Sequence, residues 1–147
     1  MKISEFVSPS DVAMDVRVDS KQQLLRDMSA RVAAAAGLKT EDVAAAVLKR
    51  EELGSTGIGD GVAIPHTRLK TIKRPYAMVA KLRHPIAFDA IDGNDVDIVV
   101  LVLLPDAADA DQLVALAAVA RRLKGRDTLP RMRGAKTAAE LYAAITD

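Results

Sequence analysis

Hydrophobic positions change their period along the chain. Val12, Met14, Val16 and Val18 alternate with Ala13, Asp15, Arg17 and Asp19, and a period of two predicts a strand with one buried face. The period then lengthens. Leu24, Leu25, Met28 and Val32 share one helical face. Ser20 with Gln23 reads as a capping box before that helix, and Gly37 as its stop. Thr40 is the expected N-cap of a second helix, with Glu41 and Asp42 in its first turn. Its apolar stripe, Val43, Ala46 and Val47, continues to Arg50.

After a glycine-rich stretch, residues 62–66 (VAIPH) predict a short stiff strand ending at His66. Tyr76, Met78, Ala80 and Leu82 alternate and predict another half-buried strand, with 85–88 as a short extended piece and Asp92-Gly93 as a turn. Residues 98–104 (IVVLVLL) are continuously aliphatic up to Pro105, the pattern of a central strand covered on both faces. A helix over 109–124 is expected to turn Leu113, Leu116, Ala117, Ala120 and Leu123 inward and to end at Gly125. A short helical piece over 128–133 follows. Thr137 and Glu140 form a second capping box, opening a last helix through Leu141 and Ile145. Interleaved strands and helices predict an α/β fold with helices on the faces of a sheet.

Composition narrows the function classes. At 147 residues with 50% hydrophobic content, one domain with a sizeable core is expected. Two Phe, two Tyr and no Trp leave little for base stacking, and 21 basic against 20 acidic residues give no strong footprint, so no nucleic-acid partner is expected. No cysteine is present, which excludes disulfides and thiolate metal sites. The start lacks the apolar run of a signal peptide, and the 98–104 run is too short to cross a bilayer. A cytoplasmic protein without membrane insertion or a fused permease is the expectation.

The candidate chemistry lies in GSTGIGDGVAIPHTRL, residues 54–69, where Gly54, Gly57, Gly59 and Gly61 make up four of the eight glycines. Read alone, this is either a glycine-rich turn before a strand or a site built around one imidazole. Neutral imidazole is a competent nucleophile near neutral pH. Backbone N–H groups at Gly57, Gly59 and Gly61 can converge on an anion, and Ser55, Thr56 and Thr67 add hydroxyl donors. Arg50 has two readings, a last-turn cation complementing its helix dipole or a charged two-pronged anion contact. No Lys-Ser or Lys-Thr pair follows the glycines, so a nucleotide-binding P-loop is excluded. The second histidine, His84, lies on another segment without carboxylates at ligand spacing, so no metal site is expected.

The string GSTGIGDGVAIPH resembles the active-site signature of enzyme IIA domains of the bacterial phosphoenolpyruvate-dependent phosphotransferase system, fructose/mannitol class. It is most similar to their nitrogen-regulatory branch. PIAFDAIDGNDVDIVVLVLLP, LAAVARRL and AAELYAAITD are similar too, so the resemblance spans residues 3–147 as one type-2 domain. It implies a small mixed sheet with the histidine at its edge, and no cofactor. It implies that His66 accepts a phosphoryl group, on the ring nitrogen remote from the backbone, from a phosphorylated histidine carrier protein. Arg50 is implied as a phosphate ligand. Regulated partner proteins, such as kinases or transporters, would then respond to the phosphorylation state. The alternatives are a sugar-specific IIA component that donates to a permease, and a non-catalytic regulatory binding module. Many members carry a second histidine near the start of the helix after the aliphatic strand; here that place falls to Gln112.

Overall fold

The computed structural model describes residues 1–106 and 111–147, and of Asp111 and Gln112 the backbone alone. Six strands form one mixed sheet: β1 (Val12–Val16), β2 (Gly57–Gly59), β3 (Val62–Ala63), β4 (His66–Leu69), β5 (Tyr76–Ile86) and β6 (Val96–Pro105). Among the described residues five α-helices accompany it: α1 (Lys21–Ala36), α2 (Thr40–Glu52), α3 (Asp111–Leu123), α4 (Thr128–Gly134) and α5 (Ala138–Thr146). The sheet runs β1-β5-β6-β3-β2, and β4 pairs with β6 as well. β6 is antiparallel to β5 and parallel to both β3 and β4. This is the expected α/β architecture, a small mixed sheet with helices on its faces.

The aliphatic run organises both cores. Val99, Leu101 and Leu103 pack against α1 and α2, through Leu24, Met28, Val32, Val43 and Val47. Ile98, Val100, Val102 and Leu104 face the other way, toward α3, α4, α5 and the N-terminal Ile3, Phe6 and Val7. Alternation within one strand thus feeds two helical layers.

Several local expectations are corrected. β1 stops at Val16, because Asp15 adopts φ 52° and the register with β5 shifts between Ala13 and Val16. β5 is covered on both faces along its first half, since Ala77 and Val79 join the second core while Met78, Ala80 and Leu82 join the first. It also runs on through Pro85 to Ile86. Thr40 is the first helical residue of α2, not its cap; Lys39 holds that place and makes no side-chain cap bond. Ser20 and Thr137 do cap, accepting from the N–H groups of Gln23 and Glu140. The reciprocal arms reach one residue further back than in a capping box, to the N–H groups of Asp19 and Lys136.

α3 is rotated relative to its expected face. Ala115, Ala118, Val119 and Leu123 are buried, Leu116 and Ala120 are half-buried, and Leu113 and Ala117 are exposed. The helix is apolar nearly all round, so its period does not fix its phase. No helix among the described residues is long and apolar enough to cross a membrane.

Candidate functional site

The expected strand over 62–66 is two strands. β3 pairs Val62 and Ala63 with Ile98 and Val99, and β4 pairs His66 with Val102. Pro65, which has no N–H to give a ladder, sits in the gap. Its carbonyl still accepts from the Val102 N–H at 2.9 Å, and the Ile64 N–H turns away to the Thr56 carbonyl at 3.0 Å. The Ile64 carbonyl is thereby placed beside the His66 ring, with His66 Nδ1 2.8 Å from it. A carbonyl oxygen can only accept, so Nδ1 carries the proton and Nε2 keeps the lone pair.

His66 is half-buried and lines a cavity of about 510 Å³. Lys49 and Arg50 from the last turn of α2 and Arg68 from β4 bring three cations to it, and Thr67 also lines it. Its apolar wall is Leu53, Leu104, Leu113 and Leu116. Among the described residues no carboxylate lines it, and none forms an ion pair with Lys49, Arg50 or Arg68. The arrangement suits a nucleophilic imidazole beside an anion. Arg50 Nη1 donates to the Gly54 carbonyl at 3.1 Å, just past the end of α2, and the residue also lines the His66 cavity.

The glycines are placed elsewhere. β2 and β3 form a hairpin whose two turn residues, Asp60 and Gly61, have φ of 57° and 78°. Positive φ at both positions is the type I′ turn favoured by Asp-Gly. Gly61 immediately precedes Val62, whose partner on β6 is Ile98, whereas the partner of His66 is Val102. That separation is about 13 Å along a strand. Gly57 is bare for packing, because a Cβ there would lie 2.8 Å from the Ala90 Cα. Asp92 stitches the turn by accepting from the Asp60 and Asn94 N–H groups, which hold its exposed carboxyl below its usual range.

The loop hydroxyls also have other partners. Ser55 Oγ donates to the Phe88 carbonyl at 2.9 Å and accepts from the Gly57 N–H. Thr56, 5% exposed, donates its hydroxyl to Glu51 and its N–H to the same carboxylate at 2.9 Å. Of the expected phosphate contacts, the cavity therefore gathers Arg50 and Thr67 around His66, but not Ser55, Thr56, Gly57, Gly59 or Gly61. The Gln112 side chain lies outside the described residues. His84 is exposed on β5.

Sequence reasoning missed Lys49, Arg68 and Glu51. Arg68 had a readable signal, since it lies two residues after His66 and hence on the same side of a strand. Glu51 had none, because a glutamate in the last turn of a helix reads as solvent-facing until the fold brings Lys21 and the loop residue Thr56 over it.

Comparison with known proteins shows the family and the fold. The sequence model of the family "Phosphoenolpyruvate-dependent sugar phosphotransferase system, EIIA 2" matches residues 5–147. A nitrogen regulatory protein of Bradyrhizobium diazoefficiens is 37% identical over 145 residues, covering 99% of this chain and 95% of that protein. The crystal structure of the nitrogen regulatory protein IIA-Ntr from Neisseria meningitidis superposes with TM-score 0.91 at 31% identity, covering 98% of this chain and 99% of that one. The mannitol IIA of Escherichia coli, at 14% identity, shares the fold with TM-score 0.77 over 95% of this chain and 98% of its own.

Proposed function

The chain belongs to the EIIA 2 family of the phosphoenolpyruvate-dependent sugar phosphotransferase system, a family of phosphotransfer proteins, and on that premise we propose that His66 Nε2 is its phosphoacceptor. The donor is a phosphorylated histidine carrier protein. As the bond from phosphorus to Nε2 forms, the bond from phosphorus to the donor's imidazole breaks, and the proton on Nδ1 stays where it is. Arg50, Lys49 and Arg68 offset the charge of the phosphoryl oxygens, and the Thr67 hydroxyl adds a neutral donor.

The observation that carries this reading is the Nδ1 contact with Ile64 O, which leaves Nε2 as the nucleophile in a cavity rimmed by cations. The relatives named nitrogen regulatory proteins support a regulatory output: a phosphoryl group adds charge to this face and alters which proteins dock there. Exposed Leu53 and Leu113 border the same cavity and supply apolar docking area. The reading takes residues 3–147 as one IIA domain working in the cytoplasm.

The test is incubation with phosphoenolpyruvate and the upstream carriers, followed by intact mass before and after acid. Protonated imidazole is a good leaving group, so a single acid-labile, alkali-stable phosphoryl group is expected. An acid-stable adduct, or one that persists in His66→Ala, contradicts the reading.

A further inference from the structure

A buried carboxylate adjoins this site without lining its cavity. Glu51 sits in the last turn of α2 with its side chain 5% exposed. A carboxylate removed from water is costly unless its oxygens are paired. Here Oε2 takes the Lys21 ammonium at 2.8 Å and the Thr56 N–H at 2.9 Å, while Oε1 takes the Thr56 hydroxyl. Two of the three partners thus belong to one residue, fixing Thr56 by both its main chain and its side chain.

Thr56 in turn faces the histidine's support. Its carbonyl accepts the Ile64 N–H at 3.0 Å, and the Ile64 carbonyl is the group 2.8 Å from His66 Nδ1. Ile64 lies in the gap between β3 and β4, so the ladder to β6 does not hold its own N–H or carbonyl. Its orientation depends on Pro65 on one side and Thr56 on the other.

We propose that Glu51 is a positioning residue for His66: through Thr56 and Ile64 it sets the carbonyl that keeps the proton on Nδ1 and the lone pair on Nε2. The link to phosphotransfer rests on the reading of His66 as phosphoacceptor; the effect on the ring does not. The series Glu51, Thr56, Ile64, His66 runs from the end of α2 to the start of β4. It connects the cation-bearing helix turn to the nucleophile, so that Arg50 and the His66 ring are set by one framework.

The experiment is a long-range proton–nitrogen NMR spectrum of unphosphorylated protein, at a pH where the imidazole is neutral, for wild type and three variants. Glu51→Ala removes the anchor. Thr56→Val removes the hydroxyl arm while keeping the Thr56 N–H arm, and stands in should Glu51→Ala fail to fold. Glu51→Gln can keep an oxygen toward Lys21 and the Thr56 N–H while its amide donates to the Thr56 hydroxyl, and is the conservative rescue. Wild type and Glu51→Gln are expected to show the Nδ1-protonated tautomer. Glu51→Ala and Thr56→Val should shift the tautomer ratio by about fivefold, the equilibrium equivalent of one hydrogen bond. Superimposable histidine spectra in the folded variants would overturn the proposal. Because no phosphoryl donor is present, a failure of His66 to be phosphorylated in the transfer assay would be a separate result.

Discussion

The Nδ1 nitrogen of His66 lies 2.8 Å from the carbonyl oxygen of Ile64, two residues before it in its own chain. A histidine that donates to its own main chain needs no second side chain in contact with its ring to fix its tautomer. The nitrogen that keeps the lone pair is set by the main-chain carbonyl facing the ring, and the side chains that line the cavity are left to handle charge.

Arg50 is the first test of that division. It lines the cavity with His66 and also caps the Gly54 carbonyl. A charge-assisted hydrogen bond contributes about 1.5–3 kcal/mol. Arg50→Ala is therefore expected to slow phosphorylation of His66 by about tenfold to a hundredfold. Arg50→Lys should recover only part, because an ammonium lacks the planar fork. The check is the single-turnover rate from the phosphorylated carrier; a wild-type rate in folded Arg50→Ala would leave the arginine as a helix cap alone.

The hairpin glycines should behave differently. Gly61 has φ 78°, and a Cβ there would lie 2.5 Å from Arg133 Nη2; Gly59 has φ 102°. An L side chain in such a conformation costs about 1–2 kcal/mol. Gly59→Ala and Gly61→Ala should lower the denaturant midpoint while the folded protein accepts phosphate within about twofold of the wild-type rate. A large rate loss without a stability loss would return these glycines to the phosphate site.

Tyr76 gives a pH dependence remote from the chemistry. Burial first, then the hydrogen bond and negative charge of Asp11, push its phenol well above the ordinary tyrosine range. The folded state thus favours the protonated form more than the unfolded chain does. That contribution is complete below about pH 10 and is lost as pH rises toward the folded value. Denaturant midpoints from pH 8 to 11, about the range where a free phenol ionises, should fall more steeply for wild type than for Tyr76→Phe. Parallel curves would mean that burial and the Asp11 contact do not favour the protonated Tyr76 phenol in the folded state.

Much of the fold could be read from sequence where one physical cause dominated. Residues 98–104 had to be a doubly covered strand because no polar side chain interrupts them. Ser20 and Thr137 announced helix starts through their hydroxyls. The misreadings fall where residues are neutral to position. Ala77 hid the second buried face of β5, and the nearly uniform apolar surface of α3 hid its phase. At the site, His66 and Arg50 were legible as residue types in a pattern. Asp60-Gly61 is a strong hairpin signal, but its glycines also suit an anion cradle, and only the pairing of Val62 with Ile98 separates the two. The Ile64 carbonyl and Glu51 were not legible, because one is main chain and the other is buried against Lys21 of another helix and a threonine just past its own.

The central claim is that the phosphoryl group goes to one nitrogen of one ring. The most direct measurement is the long-range proton–nitrogen spectrum of the phosphorylated protein, labelled with nitrogen-15 and prepared with phosphoenolpyruvate and the upstream carriers. The account predicts phosphorus coupling at Nε2 of His66, with Nδ1 still protonated against the Ile64 carbonyl. Coupling at Nδ1, or a His66 spectrum unchanged while the phosphoryl group sits on another residue, would contradict it.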